Sequence, residues 1–156
     1  MSKAIIVTAP EMFQKPENLE KYSIFLAGSI DNGFAQDWQK NAIQQLSNEN
    51  VLLLNPRRSN WNSNAGSDEV REQINWELDA LDYVDMIIMY IAENSKAPIS
   101  LLEMGLNAKE SKILVSVHPS FYRRINVEEV CKRYNIPLYE TLEELIEAVR
   151  EKIPSN

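Results

Sequence analysis

Side chains able to do covalent or acid–base chemistry are few in this sequence, and most are carboxylates. His118 is the only histidine and Cys131 the only cysteine. Metal sites need clustered ligands, so neither a metal nor another cofactor is expected. A Ser–His–Asp triad would have to use His118, and no nucleophile-elbow sequence accompanies it. His118 reads as a loop histidine at a strand end. Cys131, amid Val127, Val130 and Tyr134, reads as core. The acids Glu77, Asp79, Asp82 and Asp85 crowd the end of one helix and the start of the strand that leads towards Glu103. Most such acids are solvated on a helix face. Two carboxyls converging at one place would nevertheless suit glycosidic-bond chemistry. One attacks the anomeric carbon, and the second handles the proton or orients the nucleophile.

Glu103 lies in "PISLLEMGLNA", a helix start that is otherwise apolar or small. Two readings compete for it. Ser100 and Glu103 have the spacing of a capping box, in which both side chains satisfy orphan amides at a helix N-terminus. Alternatively, Glu103 is a nucleophile held near a helix N-terminus, which would favour its ionised form. A carboxylate folded back onto its own helix cannot also point into a cleft, so the two readings exclude each other.

The elements that must position these residues follow from hydrophobic patterning. Apolar runs at 3–9, 22–28, 51–55, 84–91 and 112–117 predict strands. Helical spacing predicts helices at 35–49, 68–83, 99–111, 126–134 and 141–153, the last two joined through the short run "IPLYE". Val70, Ile74, Leu78 and Leu81 are the expected apolar stripe of the 68–83 helix. Residues 11–21 and 56–67 read as loops. Strands without alternation, separated by amphipathic helices, predict an α/β fold. The expected form is a single-domain, doubly wound parallel sheet, flavodoxin-like or Rossmann-like, with helices on both faces.

Ligands of such sheets sit beyond the carboxyl ends of the strands. Those ends bring Gly28, Ser29, Asp31, Asn32 and Gly33 towards Asn55, Arg57 and Arg58, and both groups towards Glu93, Asn94, Ser95 and Lys96. "LAGSIDNG" has glycines but neither dinucleotide nor Walker spacing, so a phosphate turn and a plain tight turn remain equal readings. The arginines of "NPRR" are able to hold a phosphate or a carboxylate in bidentate fashion. Trp38 and Trp76 fall in amphipathic helices and read as core or interface. Trp61, in the polar loop after "NPRR", is the better candidate to stack a base.

Composition sets the outer bounds. With 156 residues, 44% of them hydrophobic, one globular domain over 1–156 is expected. A net charge of -7 argues against a nucleic-acid polymer as partner. No apolar run reaches the roughly 20 residues of a membrane span, so no membrane partner is expected. "MSKAIIVTAPEMF" lacks the pattern of a signal peptide, and a lone cysteine fits a reducing compartment. A cytoplasmic protein is expected.

Four motifs in order, "SIFLAGSIDNGFAQDWQ", "LLLNPRR", "QINWELDALDYVDMIIMY" and "PISLLEMGLNA", resemble the nucleoside 2-deoxyribosyltransferase-like superfamily. The resemblance is closest to its second branch of short single-domain proteins. It runs from about Ala4 to Leu142. Members cleave the N-glycosidic bond of (deoxy)nucleosides or their 5'-monophosphates and pass the sugar to another base or to water. The resemblance implies that Glu103 is the nucleophile and that Glu77 protonates the leaving base or contacts the sugar. It implies substrate contacts from Gly28, Ser29 and the following turn with Asp31. Asn55, Arg57, Arg58 and Trp61 lie in the loop region that would bind substrate, with Tyr90 and Asn94 as further contacts. It also implies a homodimer or higher homo-oligomer with shared active sites. Phe25 stands where better-known transferases carry a tyrosine, and "SKAPIS" lacks their base-contacting aspartate. Both differences shift the expected reaction towards hydrolysis or a different leaving base. The competing expectation is a non-catalytic nucleotide-binding or sensing module on the same scaffold.

Overall fold

The structure, a computed structural model, describes residues 3–30, 36–58 and 66–155. The chain order is β1 (Ile5–Thr8), β2 (Tyr22–Gly28), α1 (Trp38–Leu46), β3 (Val51–Asn55), α2 (Ser67–Tyr83) and β4 (Met86–Ile91). It continues with α3 (Pro98–Asn107), β5 (Ile113–Val117), α4 (Arg124–Tyr134), β6 (Leu138–Tyr139) and α5 (Leu142–Lys152). The strands form one sheet in the order β1-β3-β2-β4-β5-β6, and every neighbouring pair is parallel. The α/β fold expected from the sequence is the fold observed.

Why the strands lack alternation is visible in the packing. Ile24 and Leu26 of β2 join a core cluster with Trp38, Ala42 and Leu46 of α1 and Leu145, Ile146 and Val149 of α5. Their neighbours Phe25 and Ala27 face the other cluster, with Trp76, Ala80 and Leu81 of α2, Met104 of α3 and Val127 and Cys131 of α4. Both faces of the sheet are covered, so successive strand residues are mostly apolar. Trp38 and Trp76 are core residues, and the Trp76 indole N–H donates to the Glu11 carbonyl at 2.8 Å.

Two expectations need correction. Within "IPLYE" lies a strand, β6, whose two residues pair with Val115 and Ser116 of β5. A two-residue edge strand carries no period to detect. On α2, only Leu81 of the expected stripe is core, at 2% exposure, whereas Val70, Ile74 and Leu78 are 37–47% exposed. The helix instead buries Gln73, Trp76, Ala80 and Leu81. It is rotated because Trp76 supplies more apolar area than the stripe residues it displaces, and because the Gln73 amide finds hydrogen-bond partners inside.

The chain leaves β2 for β3 on one side and returns past β2 to β4 on the other. The connecting helices α1 and α2 therefore lie on opposite faces of the sheet, as right-handed crossovers in opposite directions require. A crevice opens at this reversal, above the carboxyl ends of β2 and β4.

Candidate active site

A cavity of about 1010 Å³ occupies that crevice. It is at the upper end of the roughly 300–1,000 Å³ typical of small-molecule sites. Its walls come from the ends of β2 (Ala27, Gly28, Ile30), the turn after β3 (Pro56, Arg57, Arg58) and the turn after β4 (Ala92, Glu93, Asn94, Lys96). Helix α2 contributes Val70, Gln73, Ile74 and Glu77, and α3 contributes Pro98, Ile99, Ser100 and Glu103. Glu77 and Glu103, distant in sequence, thus share one cavity.

The strand ends are drawn together by backbone contacts that explain their residue types. Gly28 has φ +134°, and a Cβ there would lie 2.2 Å from the Tyr90 carbonyl oxygen of β4 and 2.9 Å from the Trp38 ring. Only glycine fits. The Ser29 amide donates to the Tyr90 carbonyl at 3.0 Å, and its hydroxyl accepts from the Ala92 amide, also at 3.0 Å. Ser29 is fully buried and does not line the cavity; it fastens β2 to β4 beneath it. Asn55 is likewise absent from the wall. Its side-chain oxygen accepts from the Arg57 amide at 3.0 Å, an Asx turn that shapes the "NPRR" segment. Tyr90 packs edge-on against Trp38, with ring centroids 5.8 Å apart, on the sheet face that carries α1 and α5. Asp31 and Trp61 lie outside the described residues.

Of the two arginines, Arg57 reaches the Gln36 carbonyl with Nη1 at 3.0 Å and stands 3.9 Å from the Asp37 carboxylate. Arg58 turns towards α2, where its Nε donates to Gln73 Oε1 at 2.5 Å. The Gln73 amide N–H2 donates to the Pro56 carbonyl at 2.9 Å and to Glu77 Oε1 at 3.2 Å. At the rim, His118 accepts the Ser120 amide on Nδ1 at 3.1 Å, and its Nε2 is 3.9 Å from Glu93. His118 therefore stands at the end of β5 beside Glu93 of the cavity wall.

The capping-box reading of Glu103 fails on geometry. Helix α3 starts at Pro98 after Ala97, whose left-handed backbone (φ 46°) makes no side-chain cap. Ser100 and Glu103 are the third and sixth helical residues, past the position a capping serine occupies. For the same reason the expected helix-dipole stabilisation of an ionised Glu103 is corrected, since that effect fades within the first turn. Glu103 is 8% exposed, and its Oε2 has no hydrogen-bond partner among the described residues. Burial, reinforced by the nearby charge of Glu77, pushes its carboxyl from the ordinary 4.5 up to about 8. Glu77 is also raised by burial, but the Gln73 hydrogen bond and the Arg58 charge pull it back. The site thus holds two carboxyls with unequal support: Glu77 accepts from Gln73, while the buried Glu103 Oε2 meets no donor among the described residues.

The wall residues legible beforehand were those at strand ends and the two glutamates. Gln73 and Gln36 were missed, as were the apolar walls Val70, Ile74 and Ile99. For Gln73 a signal existed, because glutamine four residues before a glutamate on a helix is within reach of it. Among the described residues, no helix is long and apolar enough to cross a membrane.

Comparison with known families matches residues 21–121 to the family described as "Nucleoside 2-deoxyribosyltransferase like". The match takes in β2 to β5 and every described wall residue of the cavity, Ala27 through Glu103. Comparison with curated proteins gives no match. The chain belongs to the nucleoside 2-deoxyribosyltransferase-like family.

Proposed function

We propose that this member of the nucleoside 2-deoxyribosyltransferase-like family cleaves the N-glycosidic bond of a (deoxy)nucleoside or its 5'-monophosphate, with Glu103 as nucleophile. The observation that carries this reading is that Glu77 and Glu103 line one cavity, with the buried Glu103 Oε2 unpartnered among the described residues. A Glu103 oxygen attacks C1' as the C1'–N bond breaks and its electron pair leaves with the base. Glu77 supplies the proton the departing nitrogen needs. The glycosyl ester on Glu103 is then released to a second base or to water. Burial of Glu103, which is 8% exposed, strengthens its attraction for the developing positive charge at C1'.

Arg57, Arg58, Asn94 and the Gly28 backbone are the substrate contacts of this reading; Asp31 and Trp61, also expected as contacts from the sequence, lie outside the described residues. Ser29, Asn55 and Tyr90 contribute by holding the strand ends that shape the cavity. A homo-oligomer that closes over the site is supported by two exposed apolar rows beside the cavity. These are Val70, Ile74 and Leu78 on α2, and Ile99, Leu102 and Leu106 on α3, the latter 57–59% exposed. A lone buried thiol, Cys131, fits a cytoplasmic setting.

The experiment is incubation of purified protein with deoxynucleosides, ribonucleosides and their 5'-monophosphates, with and without an acceptor base, while free and transferred base are followed by chromatography. Base release from one of these substrates that is lost in Glu103→Ala supports the reading. Tight nucleotide binding without release would instead identify a sensing module, and release undiminished in Glu103→Ala would remove Glu103 as nucleophile.

A further inference from the structure

Gln73 has no acid–base chemistry of its own, yet it is 8% exposed and stands between Arg58 and Glu77. Its orientation is fixed from both ends. A guanidinium only donates, so the atom facing Arg58 Nε must be the amide oxygen. A backbone carbonyl only accepts, so the atom facing Pro56 must be the amide N–H2. With both ends set, Glu77 Oε1 receives an N–H. A hydrogen bond donated to a carboxylate favours its charged form. No described group donates to Glu103 Oε2, which is buried.

We infer that Gln73 is a positioning residue that sets the ionisation order of the Glu77–Glu103 pair, holding Glu77 as the carboxylate and leaving the pair's single proton on Glu103 in the empty site. This inference rests on the reading of those two glutamates as the reacting pair. Its consequence is that the proton destined for the base is stored on the nucleophile. When substrate enters, that proton passes from Glu103 to Glu77 and then to the departing base nitrogen. Glu103 is thereby freed to bond C1', and the C1'–N electron pair accepts the proton. One proton and one electron pair are relocated, with no further reactant. The charged groups lining the cavity around the pair are Arg57 and Arg58 after β3, and Glu93 and Lys96 after β4. Burial of Glu103 acts in the same direction as the Gln73 contact.

The test is a carboxyl titration by NMR on protein labelled with carbon-13 at the glutamate side-chain carboxyl, assigned with Glu77→Gln and Glu103→Gln. The native protein is expected to titrate in two steps, with the upper one, near 8, carried by Glu103. Gln73→Met keeps the volume and removes the donor. It should raise the lower step by about one pH unit, the order of a hydrogen bond to a charge, and move much of the upper step onto Glu77. Arg58→Met, which releases the other end of the amide, should act in the same direction. The inference is overturned if Glu77 carries the upper step in the native protein. It is equally overturned if the steps stay put in whichever variant keeps the native amide spectrum. Titration needs no turnover, so a protein that releases no base from any nucleoside would sink the proposed function and leave this result readable.

Discussion

Glu77 Oε1 lies 3.2 Å from the Gln73 amide nitrogen one turn earlier on α2, while Glu103 Oε2 on the facing helix meets no donor among the described residues. Burial raises both acids, but Glu77 is partly compensated by Gln73 and Arg58 and Glu103 is not. The Glu103 shift has a sign that stability measurements can read. Its carboxyl is raised in the folded chain from 4.5 to about 8. Below 4.5 both folded and unfolded chains hold the proton, and no penalty exists. Between 4.5 and about 8 the unfolded chain has lost it and the folded chain has not, so stability falls as pH rises through that window. Each pH unit there costs up to about 1.4 kcal/mol.

Glu103→Gln removes this penalty. Denaturant unfolding should show the variant more stable than the native chain at pH 8 by on the order of 3 kcal/mol, and nearly equal at pH 4. Base release should fall about a thousandfold or more in the same protein. An acid that serves only structure would not give a gain in stability together with a loss of turnover.

The pH dependence of kcat/KM reads the free enzyme's pair. With one proton needed on the pair, the rate should fall about tenfold per pH unit above about 8, where the last proton leaves Glu103. A profile that rises through pH 8 would mean the base leaves with a proton from water, and that Glu77 is not its donor.

At Gly28 the prediction concerns folding and shape together. A methyl group there would collide with the Tyr90 backbone, in a conformation side chains rarely adopt. Gly28→Ala should cost at least about 3 kcal/mol, seen as a lowered melting temperature or loss of folded protein. A neutral outcome would mean that β2 and β4 separate easily at the cavity floor.

If the exposed apolar rows are an interface between copies, charges placed there should dissociate it. Leu102→Asp with Leu106→Asp should shift sedimentation towards the monomer and reduce base release, while circular dichroism stays native. A native chain that sediments as a monomer at micromolar concentration would remove the shared-site reading.

How much was visible beforehand depended on the physical signal each feature leaves. Strands such as 22–28 and 51–55 matched to the residue, because a run buried on both faces is mostly apolar without alternation. The α2 stripe misled because exposed leucine and isoleucine look the same in sequence as buried ones; what decides is the partner they face. Ser29 was legible as a strand-end residue but not as a backbone tie, since a hydroxyl that points to a ligand and one that points to an amide have the same spelling. The Gln73 link required knowing that Arg58 approaches from another loop. Local order is written in periodicity, whereas proximity between distant segments is not.

The two glutamates are carried by α2 and α3, while most of the remaining polar wall hangs from the connections after β2, β3 and β4. Such a division separates what must stay constant from what is free to drift. Under the proposed reading, lengthening or rewriting a connection would alter which base or sugar is admitted without disturbing the acids on their helices.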